Sequence, residues 1–208
     1  MAKGRFITLE GVEGAGKSTL MDFIGECLKQ AGHTVVMTRE PGGTRTGEQI
    51  RNILLDSSNI GLSDETELLL MFAARMQHLQ EIILPALNEG KLVVCDRFTD
   101  ASYAYQGAGR GIDEKQIAQL ENWVQQDLRP DLTVLFDLDV EIGLRRAGKR
   151  GEADRFEQQE TEFFERIQQC YLQRAQKEPE RFRIIDAAKS FEEVKQQIMT
   201  VLQQEQLC

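Results

Sequence analysis

The sequence predicts an α/β fold with a five-stranded parallel sheet flanked by helices, in a single domain over residues 1–208. Short apolar runs alternate along the chain with segments of helix length, which is the order expected of strand–helix–strand units. Most of these runs lack strict apolar–polar alternation, which is typical of strands covered on both faces. A chain of 208 residues is also long enough to bury one sizeable core.

Five runs are predicted as strands because they are rich in β-branched and aliphatic residues. They are Arg5–Leu9, Thr34–Thr38, Lys91–Cys95, Leu132–Asp137 and Arg181–Ile185. The segments between and after them carry helical spacing of apolar residues. We predict helices over Lys17–Ala31, Gly47–Leu55, Asp64–Glu89, Asp113–Asp127, Glu141–Ala147, Gln158–Lys177 and Phe191–Gln204. A charged, glycine-containing stretch at 145–155 is predicted to be a mobile surface segment between two helices.

Composition limits the possible partners. The chain has 25 Lys and Arg against 34 Asp and Glu, a formal net charge of −9, which argues against binding a nucleic-acid polymer through its backbone. The four cysteines are far apart and form no zinc or disulfide pattern. No stretch has the 18 uncharged apolar residues of a membrane span. We therefore expect a cytoplasmic protein that does not enter a membrane.

A G-x-x-x-x-G-K-[ST] motif follows the first predicted strand and begins the next helix. It consists of Gly11, Val12, Glu13, Gly14, Ala15, Gly16, Lys17 and Ser18. In that context the motif predicts a phosphate-binding loop, in which backbone N–H groups surround nucleotide phosphates. Lys17 is expected at the β- and γ-phosphates and Ser18 on Mg²⁺. Glu13 is unhelpful to an anion unless it points to a second ligand; otherwise it is an exposed loop residue.

Further arginines follow the strands that end beside this loop. Arg39 follows the second strand, Arg51 lies on the next helix, and Asp96 and Arg97 close the third strand. In a parallel sheet these ends share one edge, so the arginines are predicted to form a second anion site. Each one alone is equally well explained as a solvated charge.

Two residues on the helix Asp64–Glu89 are candidates for contact with a base. Phe72 and Arg75 are spaced i,i+3 and share a face, although Phe72 fits a core residue equally well. His78 is interpreted as a residue on a helix face.

Several segments together resemble the thymidylate kinase family over essentially the whole chain. They are GVEGAGKST at 11–19, TREPGGT at 38–44, FAAR at 72–75 followed by QH at 77–78, CDRF at 95–98, AYQG at 104–107 and DRFE at 154–157. The resemblance implies a P-loop NTPase fold of the nucleoside monophosphate kinase type. It also implies phosphorylation of dTMP to dTDP with Mg-ATP, in dTTP synthesis, by a homodimer.

The resemblance also implies roles for single residues. Acceptor contacts would come from Glu13 to the 3′-hydroxyl, Arg39, Arg51 and Arg97 to the phosphate, Phe72 and Arg75 to thymine, Tyr105 to the deoxyribose and Gln106 near the base. Asp96 would assist Mg²⁺ beside Ser18, and the P-loop through Thr19 would hold ATP together with Arg146 and Lys149. The family usually places the stacking aromatic four residues before the arginine, where this chain has Met71, so Met71 and Phe72 both stay candidates.

The P-loop itself carries no arginine, unlike that of one branch of the family. The chain therefore looks like the branch whose catalytic cation lies in a lid at about 145–155, with Arg150 favoured over Lys149 and Arg146. Lys17, Arg97 and Arg150 are then the predicted catalytic residues. The alternatives are a kinase of another nucleoside monophosphate or of a deoxynucleoside, and a non-catalytic P-loop regulator.

Overall fold

A computed structural model describes residues 4–59, 61–148 and 154–208. Five parallel strands form one sheet in the order β2-β3-β1-β4-β5. They are β1 (Phe6–Glu10), β2 (Val35–Arg39), β3 (Leu92–Asp96), β4 (Leu132–Asp137) and β5 (Phe182–Asp186). The predicted fold class is confirmed. Four strands begin and end one residue later than predicted, so each of those four ends on a charged residue.

Helices connect the strands and cover the sheet. They are α1 (Lys17–Gln30), α2 (Arg45–Leu55), α3 (Asp64–His78), α4 (Leu84–Asn88), α5 (Thr99–Ser102), α6 (Glu114–Gln125), α7 (Val140–Ala147), α8 (Thr161–Lys177) and α9 (Phe191–Gln204). None of the helices in the described part of the chain has the length and apolar content to cross a bilayer.

The predicted helix Asp64–Glu89 is nearly continuous but changes its winding. A π-helical turn, Leu79–Ile83, joins α3 to α4, which has Pro85 in its first turn. Proline lacks an N–H and its ring crowds the preceding turn, so a locally widened helix accommodates it.

The segment between β3 and α6 was not predicted to be helical. It forms α5 and then a π-helical turn, Tyr103–Gly109, which contains AYQG. Its two glycines and two tyrosines are poor helix formers, and tertiary packing against α8 overrides that preference. This turn places Tyr105 and Gln106 over the ends of the central strands.

The core lies on both faces of the sheet. Phe6, Ile7 and Leu9 of β1 are fully buried, and Phe164, Ile167 and Tyr171 of α8 pack over the same sheet. Because β1 is central, its C-terminal end is fixed from both sides, and the loop that follows it starts from a rigid support.

Candidate active site

The phosphate-binding loop joins β1 to α1 and packs against α7. Gly14 has a φ of +73°, and a Cβ there would lie 2.0 Å from the carbonyl oxygen of Gly143. A side chain at this position would therefore collide with the backbone of α7. Glycine permits this close approach, so the conformation of the loop is supported by the backbone of α7.

A cavity of about 210 Å³ opens beside this loop, beyond the C-terminal ends of β1, β2 and β3. The predicted site residues that line it are Glu13, Gly14, Ala15, Gly16, Lys17, Ser18, Arg51, Arg75, Asp96, Arg97, Tyr105 and Gln106. The P-loop therefore shares one cavity with Arg51 and Arg97, two of the three arginines predicted to form the second anion site.

Glu13 connects the two halves of the cavity. Its carboxylate accepts a hydrogen bond from Arg97 Nη2 at 2.9 Å and from the Tyr105 hydroxyl at 2.7 and 2.8 Å. The Arg97 guanidinium lies over the Tyr105 ring, 4.7 Å from its centroid. Burial raises the pKa of Tyr105, so its hydroxyl stays protonated and acts as the donor. Glu13 thus points out of the P-loop toward Arg97 and Tyr105.

Two cations of the cavity, Lys17 and Arg51, have lowered pKa values. Burial, and then the charge of Arg97, lowers the pKa of the Lys17 ammonium to about 8; its Nζ donates to the carbonyl oxygens of Gly11 and Val12. Burial, followed by the charge of Arg39, lowers the pKa of Arg51, which donates to the carbonyl oxygen of Pro41. Bound phosphate would relieve both desolvation penalties, so the site favours polyanions.

Several predicted site residues lie away from the cavity. Arg39 is 53% exposed and pairs with Glu48 at 2.9 Å, while Arg146 donates to the carbonyl oxygen of Ala187 at 3.1 Å. Gly11 and Val12 are buried and do not line the cavity, and Thr19 is exposed on α1. Lys149 and Arg150 fall outside the described residues.

Met71, not Phe72, lines the cavity. Phe72 is only 2% exposed and packs in the core, with the Arg75 guanidinium 4.6 Å from its ring centroid. Phe72 therefore does not line the cavity, whereas Met71, the other predicted candidate for contact with a base, is half-buried at its wall.

The sequence did not predict the buried contacts of two acidic residues, Glu67 and Glu40. Glu67 on α3 is fully buried and accepts from Gln106 at 2.8 Å, from Arg110 at 3.3 and 3.5 Å, and from Arg155. Glu40, in the TREPGGT segment, is buried beside Arg75. Phe156 and Glu157 of DRFE also line the wall, and Phe156 meets Tyr105 edge-on at 5.9 Å. The DRFE and TREPGGT motifs marked these segments as functionally important in the sequence, but they did not show which residues the segments contact.

Comparisons with known proteins agree with this geometry. The family model described as Thymidylate kinase matches residues 9–198. The chain belongs to the thymidylate kinase family. It is 56% identical over 203 residues to the thymidylate kinase of Alcanivorax borkumensis, covering 98% of each chain. It is 59% identical over 191 residues to that of Pseudomonas syringae pv. tomato, covering 92% of this chain and 91% of the relative.

A solved structure has a similar fold. The crystal structure of thymidylate kinase from Ehrlichia chaffeensis superposes with a TM-score of 0.79 at 34% identity, over 97% of this chain and all of that one. Membership of this family makes the chain an ATP-dependent phosphotransferase and confirms the predicted enzyme class. The alternative of a non-catalytic regulator has no support in these comparisons.

Proposed function

We propose that this cavity binds dTMP beside ATP and transfers the γ-phosphoryl group to the dTMP phosphate, giving dTDP and ADP. The observation that carries the proposal is Glu13. A P-loop residue held across the cavity by Arg97 and Tyr105 joins a nucleotide-phosphate site to a second, arginine-lined site. An enzyme that acts on one nucleotide alone has no need of that second site.

The acceptor half has groups suited to each part of dTMP. Arg51 and Arg97 bind the phosphate, and Glu13 accepts from the 3′-hydroxyl. Arg75 and Gln106 meet the edge of thymine, with Met71 against its face, and Tyr105 fills the space where a ribonucleotide carries its 2′-hydroxyl. Arg39 is a further candidate for the phosphate once its ion pair with Glu48 opens.

The donor half is the P-loop. Backbone N–H groups from Glu13 to Ser18 surround the phosphates of ATP, and Lys17 neutralises their charge. The residues fit Mg²⁺, because Asp96 Oδ1 is buried without a hydrogen-bond partner in the described ranges and Ser18 lines the same cavity. Bound there, Mg²⁺ neutralises charge on the phosphates of ATP.

The chemistry needs no general base. The second pKa of a phosphate monoester is near 6, so the acceptor phosphate is already a dianion at neutral pH. Catalysis then consists of aligning two phosphates and neutralising charge. Lys17 and Arg97 are in place for both tasks.

Arg150 is proposed as the lid cation that completes this set. A cation of the arginine-finger type is worth about 10³–10⁵ in rate. Arg150→Ala should therefore lower kcat by at least about 10³ with dTMP affinity within about threefold of wild type. Arg146→Ala, which removes an arginine paired with Ala187, is the matched control and should keep kcat. Equal losses of kcat and dTMP affinity would refute this role.

A homodimer is proposed through an exposed apolar face on α2, α3 and α6. Ile53 on α2, Leu69 on α3 and Trp123 on α6 are 45%, 56% and 71% exposed, and α3 packs against both α2 and α6. Large exposed apolar side chains that together form a patch are typical of an interface. A cytoplasmic location is proposed as well, supported by four cysteines that are all free thiols.

A further inference from the structure

His78, which was predicted to be a residue on a helix face, is the last residue of α3 and lies in the interior. The imidazole is fully buried between β2 and the TREPGGT segment. Its Nδ1 is 3.1 Å from Glu40 Oε1 and its Nε2 is 2.6 Å from Thr38 Oγ1. A carboxylate oxygen only accepts, so Nδ1 carries the hydrogen and donates a hydrogen bond to Glu40 Oε1.

Glu40 in turn holds Arg75. Its second oxygen, Oε2, accepts from Arg75 Nε at 2.7 Å in an ion pair that is almost completely buried. Arg75 Nη2 donates to the Phe98 carbonyl oxygen and to Ser102 Oγ, both at 3.1 Å. Nη1 is buried and has no partner among the described residues, and Arg75 lines the cavity. Nη1 is therefore the nitrogen of Arg75 left to meet a ligand.

The turn after Glu40 is shaped around the imidazole. Gly43 has a φ of +79°, and a Cβ there would lie 2.5 Å from His78 Nε2 and 2.7 Å from Thr38 Oγ1. Real Cβ atoms do not approach so closely. Glycine at position 43 thus allows the backbone to pack directly against the His78 ring. The conformation of the turn therefore fixes the position of the imidazole.

We propose that His78 is a positioning residue for base selection. By donating to Glu40 it fixes the carboxylate that orients Arg75, and so directs Nη1 at the oxygen on C4 of the acceptor pyrimidine. The inference rests on the proposed role of Arg75 against the base. A donor at that point favours a C4 carbonyl over a C4 amino group, because an amino group presents hydrogens to it.

Two isosteric variants separate the two hydrogen bonds of His78. His78→Asn places an amide nitrogen near the position of Nδ1 and retains the donor to Glu40. His78→Gln places its amide near the position of Nε2, so it retains the contact with Thr38 and loses the donor. Thr38→Val removes only the Nε2 partner. Each variant is assayed with dTMP and with 5-methyl-dCMP, which differ only along the C4–N3 edge of the ring.

We expect His78→Gln to lower the ratio of kcat/KM for dTMP to that for 5-methyl-dCMP by about tenfold, which is about 1.4 kcal/mol. His78→Asn and Thr38→Val should keep the ratio within about threefold of wild type. The KM for ATP should stay unchanged in all three. Glu40→Gln loses one of the two hydrogen bonds that the carboxylate accepts, so it should also lower the ratio. This variant replaces His78→Gln in the test if His78→Gln does not fold.

Arg75→Gln distinguishes the role of His78 in positioning Arg75 from the role of Arg75 in selecting the base. If Arg75→Gln leaves the ratio unchanged, Arg75 does not select the base. If Arg75→Gln lowers the ratio but His78→Gln does not, the role of His78 is refuted. Equal loss of the ratio in His78→Asn and His78→Gln, with a lowered Tm, would show a merely structural role. In the Arg75→Gln background, His78→Gln should cause no further loss.

Discussion

Replacing Glu67 by Gln removes one negative charge at a point where two arginine side chains converge. Glu67 is completely buried, and the side chains of Arg110 and Arg155 beside it are only 12% and 10% exposed. Arg155 also donates from Nε to the carbonyl oxygen of Leu54 at 2.9 Å. Glu67 therefore links α3, α2 and the DRFE segment, and Gln106 of the cavity wall donates to the same carboxylate.

The size of the effect follows from burial. Removing one partner of a buried ion pair costs about 3–5 kcal/mol, because the remaining charge is left without compensation. In a protein of this length 1 kcal/mol shifts Tm by about 2–4 °C, so Glu67→Gln should lower Tm by roughly 6–20 °C. Loosening Gln106 should also raise the KM for dTMP more than the KM for ATP.

Asp64→Asn is the matched control. Asp64 contacts the same Arg110 at 3.5 Å from α3, but its side chain is 46% exposed. An exposed pair is worth about 0–1 kcal/mol, so this variant should shift Tm by no more than about 4 °C. Urea unfolding and calorimetry measure both changes. A loss below about 1 kcal/mol in Glu67→Gln, or equal losses in the two variants, would show that the buried charge of Glu67 is not needed to stabilise Arg110 and Arg155.

Three other changes test separate parts of the structure. Burial, and then the charge of Asp100, raises the pKa of Glu10 from 4.5 to about 7, so the free energy of unfolding should fall by roughly 1–3 kcal/mol between pH 4.5 and 7 in the wild type. In Glu10→Gln that part of the decline should be missing in urea titrations; an unchanged pH dependence would contradict it. Tyr105→Phe removes a hydrogen bond to the charged Glu13 and should lower kcat/KM for dTMP about 10–100-fold with the KM for ATP unchanged, and a smaller loss in steady-state kinetics would mean that the hydroxyl does not position Glu13. Leu69→Glu should give a folded monomer by sedimentation, whereas a monomeric wild type at the same concentration would remove the case for the dimer face.

The sheet could be predicted to within one residue at each strand end. Apolar runs identify buried strands, but they do not show whether a charged residue next to the run belongs to the strand. Glu10, Arg39, Asp96 and Asp186 are nevertheless the last residues of their strands. Charged residues are rarely buried without a partner. Glu10 has its partners in Phe98 and Tyr171, which lie far away in the sequence.

The candidate site could be predicted where function depends on a local motif, and not where it depends on distant pairs. The P-loop is one continuous segment, so its sequence is sufficient. The choice between Met71 and Phe72 depends on which side of α3 faces the cavity, and the uninterrupted apolar run from 68 to 72 does not show it. His78 and Glu40 are 38 residues apart, and only the packing of α3 against the turn after β2 brings them together.

One cavity is proposed to hold ATP and a thymidine nucleotide as donor and acceptor. The most direct test is ADP release by the wild-type protein from Mg-ATP, measured separately with dTMP, dUMP, UMP, AMP and thymidine, and with no acceptor. We predict rapid turnover with dTMP, little with UMP, and almost none without an acceptor, since water would otherwise reach the γ-phosphate. No ADP release with any acceptor, equal turnover with UMP and dTMP, or rapid hydrolysis of ATP without an acceptor would contradict this assignment of donor and acceptor.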